Sequence, residues 1–390
     1  MEIKHLTEEQ YIDSMKLSMY AFQYKIKDED IEGRKERLKY HRILGIYEEE
    51  QLAAKLHIIP LEIMVSTKKW KMGGIAGVAT FPEYRRKGYV KALITEALKQ
   101  MKDEGEIVSL LHPFDISFYR NYGWEIFTDN KKITIENKDL QFHGNPGGYV
   151  KRYDKETHHK EIEEVYDKYA SQFSGMLVRE TEWWKLSVYH DSQMAVYYNE
   201  NHEATGYLLF NVSDRKMDVQ EITALNQEAR EGLWNFICQH DSMVDQVSIL
   251  VSVHEHFPYF IHQPKQKSEV YPYFMARIVD AEACLKKYSF SHTDEQIFLH
   301  IDDSYAPWNN GSYLIGNEEI KVYKNKPGST CAQPPQRGIK LNINALTAML
   351  FGYKRPADLY SMGYLQGSQS EVNVLEKMIS PVKPFFYDFF

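Results

Sequence analysis

The residues best suited to chemistry lie in one run, Val78-Ala79-Thr80-Phe81-Pro82-Glu83-Tyr84-Arg85-Arg86-Lys87-Gly88-Tyr89-Val90-Lys91. The pattern predicts that a strand ends, a short basic loop turns, and an amphipathic helix begins at Gly88. The first N–H groups of a helix have no partner within it, and the helix dipole is positive there. A glycine lets a phosphate approach the backbone closely, and neighbouring cations add charge. The run predicts a pyrophosphate-binding loop; the alternative is a solvated basic cap.

The elements around this loop have the clearest pattern in the chain. Apolar residues recur at the spacing of one helical face at Val90, Leu93, Ile94, Ala97, Leu98 and Met101. Gly105 ends this helix, and residues 107–111 predict the next strand. A strand, a long helix and a second strand predict a parallel crossover unit. Residues 52–59 and 61–65 predict two further strands.

Composition limits the classes of function. The chain has 390 residues, 43% of them hydrophobic, which favours two or three folded domains. A net charge of -8 gives no bulk attraction to nucleic acid or anionic membranes. The polar start lacks a signal peptide's apolar core, no apolar run reaches the length of a membrane span, and the cysteines Cys238, Cys284 and Cys331 form no disulfide framework. We therefore expect a cytoplasmic protein.

No metal site is expected. His254, His256 and His262 lie close in sequence, but no carboxylate or cysteine pattern completes a ligand set. His112, at the end of a predicted strand, is interpreted as a structural residue.

Two motifs resemble those of the GNAT superfamily of N-acetyltransferases. Arg85-Arg86-Lys87-Gly88 resembles its Arg/Gln-x-x-Gly-x-Gly/Ala pyrophosphate loop, with Val90 at the last position. That departure is common in the Eis-type (enhanced intracellular survival) acetyltransferases. Downstream, Ser117-Phe118-Tyr119-Arg120-Asn121-Tyr122-Gly123-Trp124 resembles the family's F-Y-x-x-x-G-[FYW] element. Met176-Leu177-Val178-Arg179, Trp183-Trp184 and the aromatic chain end resemble later parts of the same family.

The resemblance implies a mixed α/β chain with three domains. Residues 1–148 would form an acetyl-CoA-binding catalytic domain, and the turn-rich Asn145-Pro146-Gly147-Gly148 marks its end. Residues 149–280 would form a degenerate second acetyltransferase-like domain. Residues 281–390 would form a sterol-carrier-like α+β domain. We interpret Trp183-Trp184 as core packing.

The resemblance also implies roles for individual residues. Tyr119 would be the general acid, and the terminal carboxylate of Phe390 the general base. The acetyl-CoA contacts would be Val78, Ala79, Thr80, Arg85, Arg86, Lys87, Gly88, Tyr89, Val90, Lys91, Phe114 and Asp115. Residues 384–390 are too apolar to prefer water, which favours a buried chain end. Alternatively, Asp388 attracts a cationic amine.

These roles predict an N-acetyltransferase that uses acetyl-CoA, without a metal, on a small cationic amine of aminoglycoside-like or polyamine-like type. Asp28, Glu29 and Asp30 either attract that cation or form a solvated acidic turn. The alternative function is a non-catalytic carrier that binds acetyl-CoA or lipid. The resemblance further implies a homo-oligomer, specifically a hexamer.

Overall fold

A computed structural model describes residues 2–316, 319–324 and 337–390. Cys331 lies outside these residues, whereas Cys238 and Cys284 are buried free thiols. In the part of the chain that is described, no helix is long and apolar enough to cross a bilayer.

The first 148 residues alternate helices and strands. They form β1 (Ile3–His5), α1 (Tyr11–Phe22), α2 (Ile31–Leu38), β2 (Arg42–Glu48), β3 (Gln51–Val65), β4 (Lys68–Thr80), α3 (Tyr89–Asp103), β5 (Val108–Leu111), α4 (Ile116–Arg120) and β6 (Glu125–Glu136). Strands β4 and β5 are parallel and joined through α3, which confirms the predicted crossover. The two strands expected at residues 52–59 and 61–65 are one strand, because β4 pairs with β3 from Val65 back to Ala54.

A second mixed segment follows. It contains β7 (Tyr149–Tyr153), α5 (Lys160–Ala170), β8 (Ser174–Leu177), α6 (Thr181–Trp183), β9 (Gln193–Tyr198), β10 (Ala204–Ser213), β11 (Lys216–Ala224), α7 (Gln227–Cys238), β12 (Gln246–Ser252), α8 (Phe257–Phe260) and β13 (Lys267–Ile278). The last segment contains α9 (Ala281–Lys287), β14 (Ile297–Asp302), β15 (Gly311–Ile315), β16 (Lys321–Tyr323), β17 (Ile339–Asn342), α10 (Ile343–Leu350), α11 (Pro356–Ser361) and α12 (Gln369–Met378).

One large sheet joins the first two segments. Its 13 strands run in the order β1-β2-β3-β4-β5-β13-β6-β12-β11-β10-β9-β7, with β8 paired to β3. Strand β13, from the end of the second segment, therefore lies between β5 and β6 of the first. A separate sheet, β16-β15-β14-β17, belongs to the third segment. The domain limits at residues 148 and 280 stay a prediction.

The helix α3 packs its apolar face on this sheet. Five of the six side chains that the spacing predicted, Leu93, Ile94, Ala97, Leu98 and Met101, are completely inaccessible, whereas Val90 is only half-buried and Tyr89 is buried in addition. They pack on β2, β3 and β4. Burying a Leu, Ile or Met side chain contributes about 1.5–3 kcal/mol. This contact fixes the start of α3 beside the end of β4.

Candidate active site

The edge of β4 is unpaired beyond Gly74. The β4–β5 pairing ends at Gly74 and Leu110, although β4 continues to Thr80. A bulge follows, in which Gly77 adopts a left-handed φ of 55°. Among the described residues, no strand pairs with this edge on the side away from β3. The backbone of Val78, Ala79 and Thr80 is therefore available to a ligand that carries amide groups.

The polar side chain on this segment also lacks a partner. The hydroxyl of Thr80 is buried and makes no hydrogen bond with any described residue. Ala79 is buried, and Val78 is half-buried. A buried hydroxyl without a partner is costly, and a bound amide would satisfy it. The edge therefore fits the pantetheine arm of acetyl-CoA.

The basic loop ends at an open helix N-terminus. Gly88 has a φ of 83°, caps α3 without any side-chain hydrogen bond, and has no atom within 4 Å of where a Cβ would lie. The first helical bond runs from the Ala92 N–H to the Gly88 carbonyl, at 3.1 Å. The N–H groups of residues 89–91 consequently have no acceptor within the helix. Arg85, Arg86 and Lys87 are exposed beside them, and the first turn has no acidic residue. This arrangement suits a pyrophosphate.

Three side chains of this loop and helix have other partners. The Tyr89 hydroxyl donates to the carboxylate of Glu48, which raises the pKa of Tyr89 to about 12. Lys87 lies over the ring of Tyr84, with its Nζ 5.0 Å from the centroid. Lys91 lies 5.7 Å from the ring centroid of Tyr305, in the third segment. Tyr89 therefore offers its backbone, not its side chain, to a ligand.

Helix α4 begins at the end of β5 and carries Tyr119. Asp115 caps this helix by accepting hydrogen bonds from the Ser117 hydroxyl at 2.6 Å and the Phe118 N–H at 2.9 Å. These bonds hold the pKa of Asp115 below its usual range. Phe114 is 73% exposed, and its ring lies 5.6 Å from that of Tyr119. The Asp115 carboxylate is thus occupied by the cap, while the Phe114 ring is open to a ligand.

Tyr119 is buried among aromatic rings. Only 4% of the residue is exposed, and its ring lies 5.2 Å from Phe118 and 6.3 Å from Trp124. Its hydroxyl makes no hydrogen bond to a described residue. Burial raises the pKa of Tyr119 above its ordinary value, so the hydroxyl keeps its proton at neutral pH.

The chain end lies where β4 and β5 separate. The ring of Phe390 packs on Gly74, within 2.7 Å of where a Cβ would lie, and its centroid is 5.2 Å from that of Phe274. Phe389 is 61% exposed, and its ring lies 5.1 Å from that of His112. Phe390 therefore lies at the open edge of β4, beside the end of β5 that leads to α4.

A buried ion-pair network anchors this chain end. The Arg179 Nε donates to both carboxylate oxygens of Asp388, at 3.0 and 3.2 Å, and its Nη1 donates to Glu221 at 3.0 Å. The Trp183 indole N–H donates to Asp388 at 2.7 Å. The idea that Asp388 attracts a cationic substrate is therefore wrong, because Arg179 already occupies its carboxylate and the residue is buried.

The sequence did not predict that Arg179 and Trp183 hold the chain end. Arg179 and Trp183 occur in the sequence runs noted above, but their partner, Asp388, follows 209 and 205 residues later. No local signal joins positions so far apart. Trp184 is completely buried, as expected for core packing, whereas Trp183 has a polar role.

The backbone of the tail is also held. The Ser174 N–H donates to the Lys383 carbonyl at 2.8 Å, and the Phe385 N–H donates to the Ser174 carbonyl at 3.1 Å. The Tyr387 hydroxyl donates to the Ile222 carbonyl at 3.0 Å. Phe385 and Phe386 are fully buried, which agrees with the apolar character of the tail. The exposed Phe389 is the exception.

The glycine of the motif at residues 117–124 leaves space for the side chain of Arg277. Gly123 has a φ of 93°, and a Cβ there would lie 3.0 Å from the guanidinium of Arg277. Arg277, on β13, donates from Nε to the Tyr122 carbonyl at 2.8 Å and from Nη2 to Asp303 at 2.7 Å. This buried arginine therefore joins the motif to the third segment. Sequence reasoning did not identify it.

The described residues contain no group of three or more His, Cys, Asp or Glu side chains arranged to hold a metal ion. His112 instead contacts the rings of Tyr273, Phe274 and Phe389. Burial lowers the pKa of His112.

Known families match all three segments. Residues 2–127 match the family described as an acetyltransferase (GNAT) domain, and residues 175–278 match a second family of the same description. Residues 281–387 match the sterol carrier protein domain.

Individual relatives agree with these matches. The chain is 25% identical over 252 residues to the N-acetyltransferase Eis of Mycobacterium tuberculosis, a match that spans 60% of either chain. A probable N-acyltransferase from Enterococcus faecalis has a solved structure with a TM-score of 0.91 and 26% identity, covering 100% of this chain and 99% of that one. Eis1 from Mycobacterium abscessus shares the fold, with a TM-score of 0.82, 18% identity and full coverage of both chains.

Proposed function

Because the chain belongs to the Eis-type N-acetyltransferases of the GNAT superfamily, we propose that it transfers an acetyl group from acetyl-CoA to an amine of a small cationic acceptor. The observation that carries the proposal is the unpaired edge of β4, which runs into an open helix N-terminus with exposed cations. This combination suits a ligand with amides at one end and a pyrophosphate at the other.

Binding of acetyl-CoA divides between two kinds of group. The backbone of Val78, Ala79 and Thr80 pairs with the pantetheine amides and orients the thioester carbonyl. Arg85, Arg86, Lys87 and Lys91 attract the phosphates, while the N–H groups of residues 89–91 donate to them, with Gly88 leaving space. Phe114 offers an exposed apolar surface beside α4, where Asp115 keeps the helix in place.

The chemistry needs an acid and a base. The acceptor amine attacks the thioester carbonyl, the C–S bond breaks, and the CoA thiolate takes a proton from Tyr119. The Tyr119 hydroxyl is protonated at neutral pH, as this role requires. Where Phe390 ends the chain, its α-carboxylate accepts a proton from the attacking amine. The contact of Phe390 with Gly74 supports this role.

The segment between α1 and α2 fits a cationic acceptor. The ring of Tyr20, on α1, lies 5.4 Å from that of Phe81, which directly follows β4. Asp28, Glu29 and Asp30 form an exposed acidic turn in the same connection. Together they would attract a polyamine-like or aminoglycoside-like compound. We also propose that the protein is a homo-oligomer, specifically a hexamer, and that it is cytoplasmic. Light scattering tests the oligomeric state.

The test is CoA release from acetyl-CoA with a panel of polyamines and aminoglycosides. Tyr119→Phe removes the acid, and one glycine added after Phe390 moves the carboxylate by roughly 3.5 Å. We expect either change to lower kcat about 100-fold or more while acetyl-CoA still binds. Tyr259→Phe, at a 92% exposed tyrosine, is the matched control and should leave kcat unchanged.

Two outcomes would redirect the proposal. Full activity of the glycine variant would remove Phe390 from the mechanism. Tight acetyl-CoA binding without acetylation of any amine would favour the alternative, a carrier of acetyl-CoA or lipid. That alternative would use the third segment, where an open cavity of about 630 Å³ is lined by apolar residues, such as Leu285 and Met378, and by polar ones, such as Lys286 and Glu319.

A further inference from the structure

Three basic side chains form a buried cluster next to the open edge of β4. Lys55 and His57 lie on β3, and His41 directly precedes β2. The Lys55 Nζ lies 2.7 Å from the His57 Nε2, and the His57 Nδ1 lies 3.2 Å from the His41 Nδ1. His57 therefore has a basic neighbour at each of its ring nitrogens. We call Lys55, His57 and His41 the basic cluster.

The basic cluster runs from the β4 bulge towards the surface. Lys55 is completely buried and His57 is 7% exposed, while His41 is only half-buried. The Lys55 Nζ lies 3.3 Å from where a Cβ of Gly77 would be, and the His57 Nε2 lies equally close. Because Gly77 has no side chain, the Lys55 Nζ packs against the β4 bulge, next to the edge that we propose binds the thioester.

No carboxylate of the described residues forms an ion pair with this cluster. Among the described residues Lys55 forms no ion pair, and its side chain bonds only to His57. The other groups that face the cluster are the Ser14 hydroxyl of α1, 3.3 Å from the His57 Nε2, and the cationic Arg37 of α2. Burial lowers the pKa of Lys55 to about 7 and that of His41 to about 4, and it lowers the pKa of His57 well below its ordinary value. At neutral pH His41 and His57 are therefore neutral, whereas Lys55 is present in both its neutral and its protonated form.

Acetyl transfer to an amine releases a proton, which must move from the acetyl-transfer site to solvent. An aliphatic ammonium has a pKa of roughly 10, so the acceptor arrives protonated. On becoming an amide its nitrogen loses two protons, whereas the departing thiolate takes up one. One of these two protons goes to the Phe390 carboxylate and replaces the proton that Tyr119 gives to the thiolate. The other proton must reach solvent in every turnover.

We propose that Lys55, His57 and His41 form a relay that carries this proton from the acetyl-transfer site to solvent. The inference rests on the proposed function. An N–H bond of the acceptor ammonium breaks as the Lys55 Nζ gains the proton, and Lys55 then donates it to the His57 Nε2. His57 releases its Nδ1 proton to the His41 Nδ1, and His41 loses its Nε2 proton to water. Each member is then neutral, so charge balances, and the two imidazoles return to their starting tautomers by proton exchange with water before the next turnover.

The experiment uses the full chain and the amine that the native protein acetylates best. His41→Gln interrupts the relay at its half-buried end, where the fold is least affected, because an amide keeps hydrogen bonds but passes no proton. His5→Gln, at an exposed histidine of the same segment, is the matched control. The measurements are kcat and KM between pH 6 and about 9, with and without imidazole in the buffer.

We expect His41→Gln to lower kcat about 10- to 100-fold, with imidazole restoring most of the loss and the KM for acetyl-CoA unchanged. Lys55→Met should remove the inflection near pH 7 from the kcat/KM profile. The relay is refuted if His41→Gln keeps native kcat, or if its loss does not respond to imidazole. If the native protein acetylates the amine, either of these two results for His41→Gln overturns the relay and leaves the proposed function intact. If the folded native protein acetylates no amine, the proposed function is overturned as well.

Discussion

Removing Arg179 should both destabilise the protein and detach its chain end. The side chain of Arg179 is fully buried, and those of Asp388 and Glu221 are only 2% and 7% exposed. Arg179→Met leaves two carboxylates buried without a cation. Breaking a buried pair by removing one partner costs about 3–5 kcal/mol. We expect a loss of that size in the free energy of unfolding, with a fall in kcat because Phe390 follows Asp388 by two residues.

The assay is urea unfolding followed by tryptophan fluorescence, together with CoA release under native conditions. The matched control is Arg215→Met, which breaks an Arg–Asp pair of the same segment at 2.7 Å. Its partners are 60% and 68% exposed, so the loss should be about 0–1 kcal/mol. If Arg179→Met loses no more stability than the control, the buried network does not hold the tail, and the reasoning fails.

Three further predictions use other parts of the site. Gly74→Val should displace the Phe390 ring and lower kcat about 10-fold or more while acetyl-CoA binding measured by calorimetry is unchanged; unchanged kcat would show that the ring position is irrelevant. Arg86→Gln should raise the KM for acetyl-CoA about 10- to 100-fold at constant kcat, as expected for a lost charged hydrogen bond; a KM equal to the native value would exclude Arg86 from the phosphate site. Lys55 should make the protein more stable as pH rises from 7 to 10.5, because the unfolded chain binds its proton in this window and the folded chain does not. Lys55→Met, but not the exposed Lys340→Met, should remove up to about 1.4 kcal/mol per pH unit from that slope in urea unfolding; identical slopes would refute a neutral Lys55.

Local patterns predicted the parts of the fold that depend on neighbours in sequence. The spacing of Leu93, Ile94, Ala97, Leu98 and Met101 identified the buried face of α3, because helical periodicity brings residues three and four apart together. Gly88 and the cations before it indicated the open helix start, because they directly precede the helix in the sequence. The family motifs then implied the three-part organisation, which the family matches support.

The division of the first strands was harder to predict. Residues 52–59 and 61–65 lie in one strand because β4 pairs along both, and strand pairing is not encoded within either segment alone. The position of β13 between β5 and β6 likewise depends on residues more than 120 positions apart in the chain. Such pairings are settled by which edges remain available once the sheet assembles.

The sequence by itself determined the basic loop and the helix that follows it, because these lie within a few turns of one another; the acetyl-CoA contacts that the resemblance implies stay a prediction. Only the tertiary structure paired Arg179 with Asp388, packed Phe390 on Gly74 and aligned Lys55 with His57 and His41. A buried charge must find its partner wherever the fold brings one, and a glycine's missing side chain matters only once another residue fills the space. Neither requirement leaves a trace in local spacing.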